Sequence, residues 1–154
     1  MDEAAITQYI TATFPGVDLA ETQGATFYFY NPPDLEPDHR FPFATLVTSD
    51  AFDPFSNLNR PGAFRLNIGI GKATFRALFG PPPARAGEEA APGYDFTALD
   101  QVLPHPVYGR QYWVCILNPS PATFATQVQP LLAEAYDLAV GKRTRHGRVL
   151  SAEY

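Results

Sequence analysis

The sequence predicts an α+β fold, an antiparallel sheet of about four to five strands with helices packed on one face. Three observations predict it. Apolar residues recur at helical spacing near the start of the 154-residue chain and again towards its end. Between those segments, aromatic and β-branched runs follow one another through loops too irregular for the crossovers that parallel strands require. The 16 prolines, about a tenth of the chain and roughly twice the usual share, fall in clusters that mark loops: Pro32-Pro33, Pro81-Pro82-Pro83, Pro104 with Pro106, Pro119 with Pro121.

The elements follow in order. Asp2 caps a first helix with Ile6, Tyr9, Ile10 and Phe14 on one face, and Pro15-Gly16 stops it. After a turn at Gln23-Gly24, Thr26 to Tyr30 is a strand, ended by Asn31-Pro32-Pro33. An acidic loop spans Asp34 to Asp38. Phe43 to Thr48 and Ala63 to Ile70 are the second and third strands, with Asp53-Pro54 and Arg60-Pro61-Gly62 punctuating their link. Phe64, Leu66, Ile68 and Ile70 share one face of the third strand. Arg65 and Asn67 point to the other, so whatever covers that face must meet a cation and an amide or leave them wet.

Lys72 to Phe79 is a short helix that Gly80 and three prolines end, and Pro81 to Gly93 is a candidate mobile loop. Asp95 caps a further short helix carrying Phe96, Leu99 and Leu103. The segment Leu103-Pro104-His105-Pro106-Val107-Tyr108-Gly109-Arg110 is extended and then turns, because residues before proline avoid helical geometry. Tyr112 to Leu117 is the fourth strand. Ser120 and Pro121 open a last helix with Phe124, Val128, Leu131, Leu132, Ala135 and Leu138 on its buried side, and Pro130 kinks or splits it. Residues 1–141 form a single domain and residues 142–154 a flexible basic tail.

Composition bounds the function. A chain of this length can bury roughly 70% of its unfolded surface, so it folds without staples. A single Cys permits no internal disulfide and no Cys-x-x-Cys zinc site, which fits a reducing cytoplasm. The Met-Asp-Glu start has no leader pattern and the densest apolar run is only Trp113 to Leu117, so neither secretion nor a membrane role is expected. The formal charge of −5 divides unevenly. Residues 1–141 carry seven basic and fifteen acidic groups, net −8, whereas Lys142, Arg143, Arg145 and Arg148 crowd the last thirteen residues. An acidic body repels polyanions, so binding of a nucleic-acid backbone is disfavoured.

Four blocks resemble an uncharacterised bacterial family, domain of unknown function 6194: Phe43 to Asp50, Arg60 to Gly69, Leu103 to Gly109, and Trp113 to Pro119. The Leu-Pro-His-Pro-Val-Tyr-Gly string is the specific part, and the resemblance covers nearly the whole chain. It transfers no established activity. A second set of features resembles the MmcQ/YjbR-like proteins: Pro15-Gly16-Val17 after the first helix, Arg65-Leu66-Asn67 feeding a helix, Trp113 on a late strand and Tyr136 near the end of the final helix. That resemblance implies a compact α+β fold with an antiparallel sheet and, by fold analogy, nucleic-acid binding. Gly109-Arg110 stands where those proteins carry a Met-Asn-Lys type of turn.

Chemistry narrows to a few residues. Gly69-Ile70-Gly71-Lys72 is not a phosphate loop, because Leu66 sits where the P-loop needs glycine. The helix start keeps free amides for a small anion. His105 is fixed between two prolines; as a general base it would have Tyr108 as donor, with Arg65 or Arg110 binding an anionic substrate. Cys115 reads as a buried hydrophobe, and Trp113 shares its face. Asp50 and Asp53 are metal-ligand candidates by type and surface-turn residues by position. His39 and His146 stand in no metal-ligand pattern, and neither metal nor cofactor is expected. The expected function is a small-ligand or protein binding module, monomeric or homodimeric, with a pocket rimmed by Arg65, Asn67, His105, Tyr108 and Trp113. The alternatives are a hydrolase or lyase using His105 as base, and nucleic-acid binding.

Overall fold

Helix α1 (Glu3–Thr13) begins where the Asp2 carboxylate accepts the Ala5 amide and buries Ile6 and Ile10 completely. The computed structural model describes residues 1–82 and 93–152, with side chains to residue 143. Most of the expected loop from Pro81 to Gly93 lies outside the described residues.

Six strands form one antiparallel sheet: β1 (Val17–Thr22), β2 (Ala25–Tyr30), β3 (Ala44–Val47), β4 (Arg65–Gly69), β5 (Leu103–Pro104) and β6 (Trp113–Leu117), in the order β1-β2-β3-β4-β6-β5. The strand count exceeds the expectation because both edges escaped the residue pattern. β1 holds Asp18 and Glu21 and lacks an aromatic, yet it needs only the backbone of β2, reached through Gly24 at φ 80. β5 contains Pro104, which an edge tolerates because its missing N–H leaves no ladder bond unmade on the inner side.

The expected helix after Asp95 does not form. The Asp95 carboxylate accepts both the amide and the hydroxyl of Thr97 in a tight turn, and Leu99 then bridges Leu117 in parallel. Residues 96–103 therefore follow the sheet edge as a turn at Phe96–Thr97, a bend at Asp100 with φ 59 and short backbone bridges on either side of it.

One sheet face is packed by helices. α1, α2 (Lys72–Phe79), α3 (Pro121–Thr123), α4 (Gln129–Ala152) and the turn joining the last two cover it, burying Ile10, Phe75, Phe124, Val128 and Leu132 against Tyr28, Leu66, Ile68 and Ile116. Between α3 and α4, Phe124–Val128 forms a π-helical turn in which the Gln129 amide bonds the Phe124 carbonyl. The expected break at Pro130 takes this form, the wide turn just ahead of a residue without an N–H. α4 continues past residue 141 to Ala152, and the Arg143 guanidinium bonds the Glu36 carbonyl and Asp38, so the start of the expected tail is tied to the body. The side chains beyond Arg143 lie outside the described residues.

The start of α2 is not left open for a small anion. Glu134, reaching across from α4, accepts the Gly71 amide at 2.7 Å and the Thr74 hydroxyl. A carboxylate of the chain itself thus fills the helix N-terminus.

Candidate functional site

Strand alternation puts Leu66 and Ile68 into the helix-packed core and turns Arg65 and Asn67 to the opposite face, as the sequence predicts. Register fixes their neighbours: Arg65 stands between Val47 and Leu117, Asn67 between Thr45 and Cys115. Among the described residues, no helix covers this face. The link from β3 to β4 folds back over it, anchored by buried Leu58, whose amide is held by the Asp50 carboxylate at 2.7 Å.

That loop delivers the partner of Arg65. The guanidinium is 1% exposed and donates to both oxygens of Asp53 at 3.0 and 2.6 Å, to the Ser56 hydroxyl at 2.9 Å and to the Asn67 carbonyl at 2.9 Å. Asn67 in turn donates to the Thr45 hydroxyl. Burial pushes the Asp53 carboxyl up, but the hydrogen bonds and charge of Arg65 more than offset this and leave it below the ordinary carboxylate value. Asp53 is neither a metal ligand nor a surface-turn residue; it is the counter-ion of a buried cation. Asp50 is an amide cap.

His105 arrives on the other side. Its amide extends the β5 ladder to the Trp113 carbonyl at 2.9 Å, and the flanking prolines hold the chain extended into a turn. The ring is buried. Nδ1 accepts two backbone amides, from Val107 and Tyr108, each at 3.0 Å, and Nε2 lies 3.4 Å from Arg65 Nη2. Two donors on Nδ1 require its lone pair, so the proton of the neutral ring sits on Nε2. Burial, reinforced by the Arg65 charge and partly opposed by Asp53, lowers the imidazole pKa to about 3, and the ring is neutral at pH 7.

Between these groups lies a cavity of ≈ 380 Å³. Phe27, Phe52, Val47, Val107 and Trp113 supply apolar wall, Arg65, Asn67 and His105 the polar floor, and Tyr108 and Arg40 the rim. Trp113 can lie flat there because Gly69 faces it: a Cβ at that position would come within 2.9 Å of the indole. Of the six residues singled out from sequence, Arg65, Asn67, His105, Tyr108 and Trp113 line this one cavity, and Arg110 does not. Arg110 sits exposed in the turn Gly109–Gln111 and is not among the lining residues.

Sequence reasoning named Asp53 only as a metal-ligand or surface-turn candidate and missed Ser56, Phe27 and Phe52 altogether. A buried arginine must find a carboxylate, and Asp50 and Asp53 in the adjoining loop were the available signal. Cys115 lies below the floor, bonded weakly to the Pro104 carbonyl, its thiol pushed up to about 12 by burial. That is the inert hydrophobe the sequence predicts.

The described residues thus form an α+β domain with an aromatic-walled cavity over a buried ion pair, on the sheet face opposite the helices. The chain belongs to the Family of unknown function (DUF6194), whose model matches residues 1–148. No curated protein and no solved structure matches it. Among the described residues, no helix is long and apolar enough to cross a membrane.

Proposed function

We propose that the protein is a binding module for a small, largely apolar molecule, held in the cavity between the β3–β4 loop and the His105 turn. One observation carries this reading: a cavity of ≈ 380 Å³ is lined by buried, charge-paired Arg65 and Asp53. Such a volume lies within the roughly 300–1,000 Å³ of small-molecule sites. Apolar walls with a few fixed polar groups are the usual composition of those sites as well.

The hydrolase or lyase alternative needs a free imidazole lone pair on His105. Nδ1 has given its pair to two amides, and Nε2 carries a proton, so the residue is arranged to donate rather than to abstract. The nucleic-acid alternative needs a cationic surface, and the cavity supplies two guanidiniums already paired with Asp53 and Asp38. A cytoplasmic setting and kinship with MmcQ/YjbR-like proteins remain compatible with this reading and add nothing to it.

A thermal-shift screen against a metabolite library tests the proposal, since a ligand at a hundred times its Kd adds about 2.7 kcal/mol of stability. Hits should lose their effect in Val107→Trp, which fills the cavity. Hits indifferent to that substitution, or none at all, would refute it.

A further inference from the structure

We infer that the ligand of this cavity is an uncharged, planar apolar molecule that presents a carbonyl oxygen to Arg65 and His105 together. The inference rests on the binding reading above and follows from a count of donors and acceptors.

Arginine has five N–H donors. In Arg65, Nε uses one on Asn67, Nη1 uses two on Asp53 and Ser56, and Nη2 uses one on Asp53. The fifth is on Nη2, on the side of His105. The 3.4 Å contact between Nη2 and His105 Nε2 would be a hydrogen bond only if Nε2 were the acceptor. That tautomer would turn a proton on Nδ1 towards the amides of Val107 and Tyr108, both donors at 3.0 Å. Two amide contacts outweigh one long one, so both groups in the 3.4 Å pair are donors. With the proton on Nε2, neither donor meets an acceptor among the described residues, and both residues are buried and line the cavity.

Two adjacent unmatched donors call for one oxygen with two lone pairs, which a carbonyl offers in its plane. A water can bridge them when the cavity is empty, and a ligand carbonyl that reproduces both bonds displaces it without loss. The charge balance of the floor selects the uncharged class. Arg65 is matched by Asp53 and His105 is neutral, while at the rim Arg40 makes a two-point pair with Asp38, which Arg143 also contacts at 3.5 Å. A carboxylate on the same floor would lie beside Asp53, and the one cation there, Arg65, is already matched. The rings of Phe27, Phe52 and Trp113 supply flat walls on which a planar body stacks.

Three probes of one shape separate the possibilities: acetophenone, ethylbenzene and benzoate, each titrated while following the indole N–H resonance of Trp113, the chain's single Trp. Acetophenone should bind about tenfold or more tightly than either of the others, as expected when two buried donors are matched rather than left bare. His105→Asn, whose side-chain oxygen can still accept the two amides but which lacks the Nε2 donor, should narrow the gap between acetophenone and ethylbenzene. The ¹⁵N shifts of the wild-type ring, which need no variant to fold, should report an unprotonated Nδ1. Ethylbenzene binding as tightly as acetophenone would sink the carbonyl assignment and leave the cavity as a binding site. Tighter benzoate would overturn the uncharged class, and a protonated Nδ1 would remove the donor pair. If no probe moves the Trp113 signal up to its solubility limit, the binding reading falls too.

Discussion

Lowering the pH from 7 to 5 should destabilise this protein through His105 alone by about 2 kcal/mol. The imidazole has its ordinary pKa of 6.5 in the unfolded chain and about 3 in the folded one. Between those values the unfolded chain binds a proton that the native ring refuses, so stability is complete above about pH 6.5 and drains away as pH falls towards 3. The slope is at most about 1.4 kcal/mol per pH unit. Integrating from pH 7 to 5 gives the figure above. Asp53 does not blur it, because its folded pKa is lowered below the ordinary carboxylate value and its own contribution is lost only in stronger acid. Urea unfolding at pH 7 and pH 5 measures the difference. His105→Asn is the control: its side-chain oxygen can take the place of Nδ1 as acceptor for the two amides, and nothing remains to titrate. The difference between wild type and variant should grow smaller by about 2 kcal/mol on acidification. Equal losses in the two proteins would mean that His105 protonates in the folded state, and the assignment of Nε2 as a fixed donor would fail with it.

Asp53→Asn should cost about 3–5 kcal/mol in urea unfolding, because it strands a guanidinium that is 1% exposed, whereas a loss below about 1 kcal/mol would show that solvent reaches the pair. In Gly69→Ala the new methyl meets the Trp113 indole at 2.9 Å, so the variant should lose about 1–3 kcal/mol and shift its fluorescence. An unchanged spectrum would count against the stacking of Trp113 on that glycine. Cys115, buried and with its thiol pushed up to about 12, should resist thiol reagents at pH 8 until urea unfolds the chain. Modification of the native protein at the rate of a free thiol would contradict the placement of Cys115 beneath the floor.

Most of the architecture was legible because it follows from periodicity. Alternation along Phe64 to Ile70 separated the core face from the face bearing Arg65 and Asn67, and the spacing of Ile6, Ile10 and Phe14 gave the first helix. His105 stood out because two prolines deny it any helical role. What escaped depends on partners distant in the chain. β1 is a strand only because β2 offers an edge, and Asp95 chose a side-chain turn over a helix cap. Glu134 sits 63 residues from the amide it holds, so nothing local to Gly71 announces it. The same holds for the site. Its cation could be read from the strand, whereas Asp53 became its partner only once the loop folded back across the sheet.

The Arg65–Asp53 pair also bears on how the strands find their alignment. Sliding β4 by one residue against β3 and β6 would exchange its two faces. Arg65 and Asn67 would then enter the apolar layer occupied by Ile10, Tyr28 and Phe75, away from Asp53, and Leu66 and Ile68 would turn out towards the cavity. A lone guanidinium in that layer costs several kcal/mol. A run of interchangeable aliphatic residues would pair almost as well one step out of place. With a charge at its head, β4 has one arrangement it can accept, and the cavity floor is assembled in the act of choosing it.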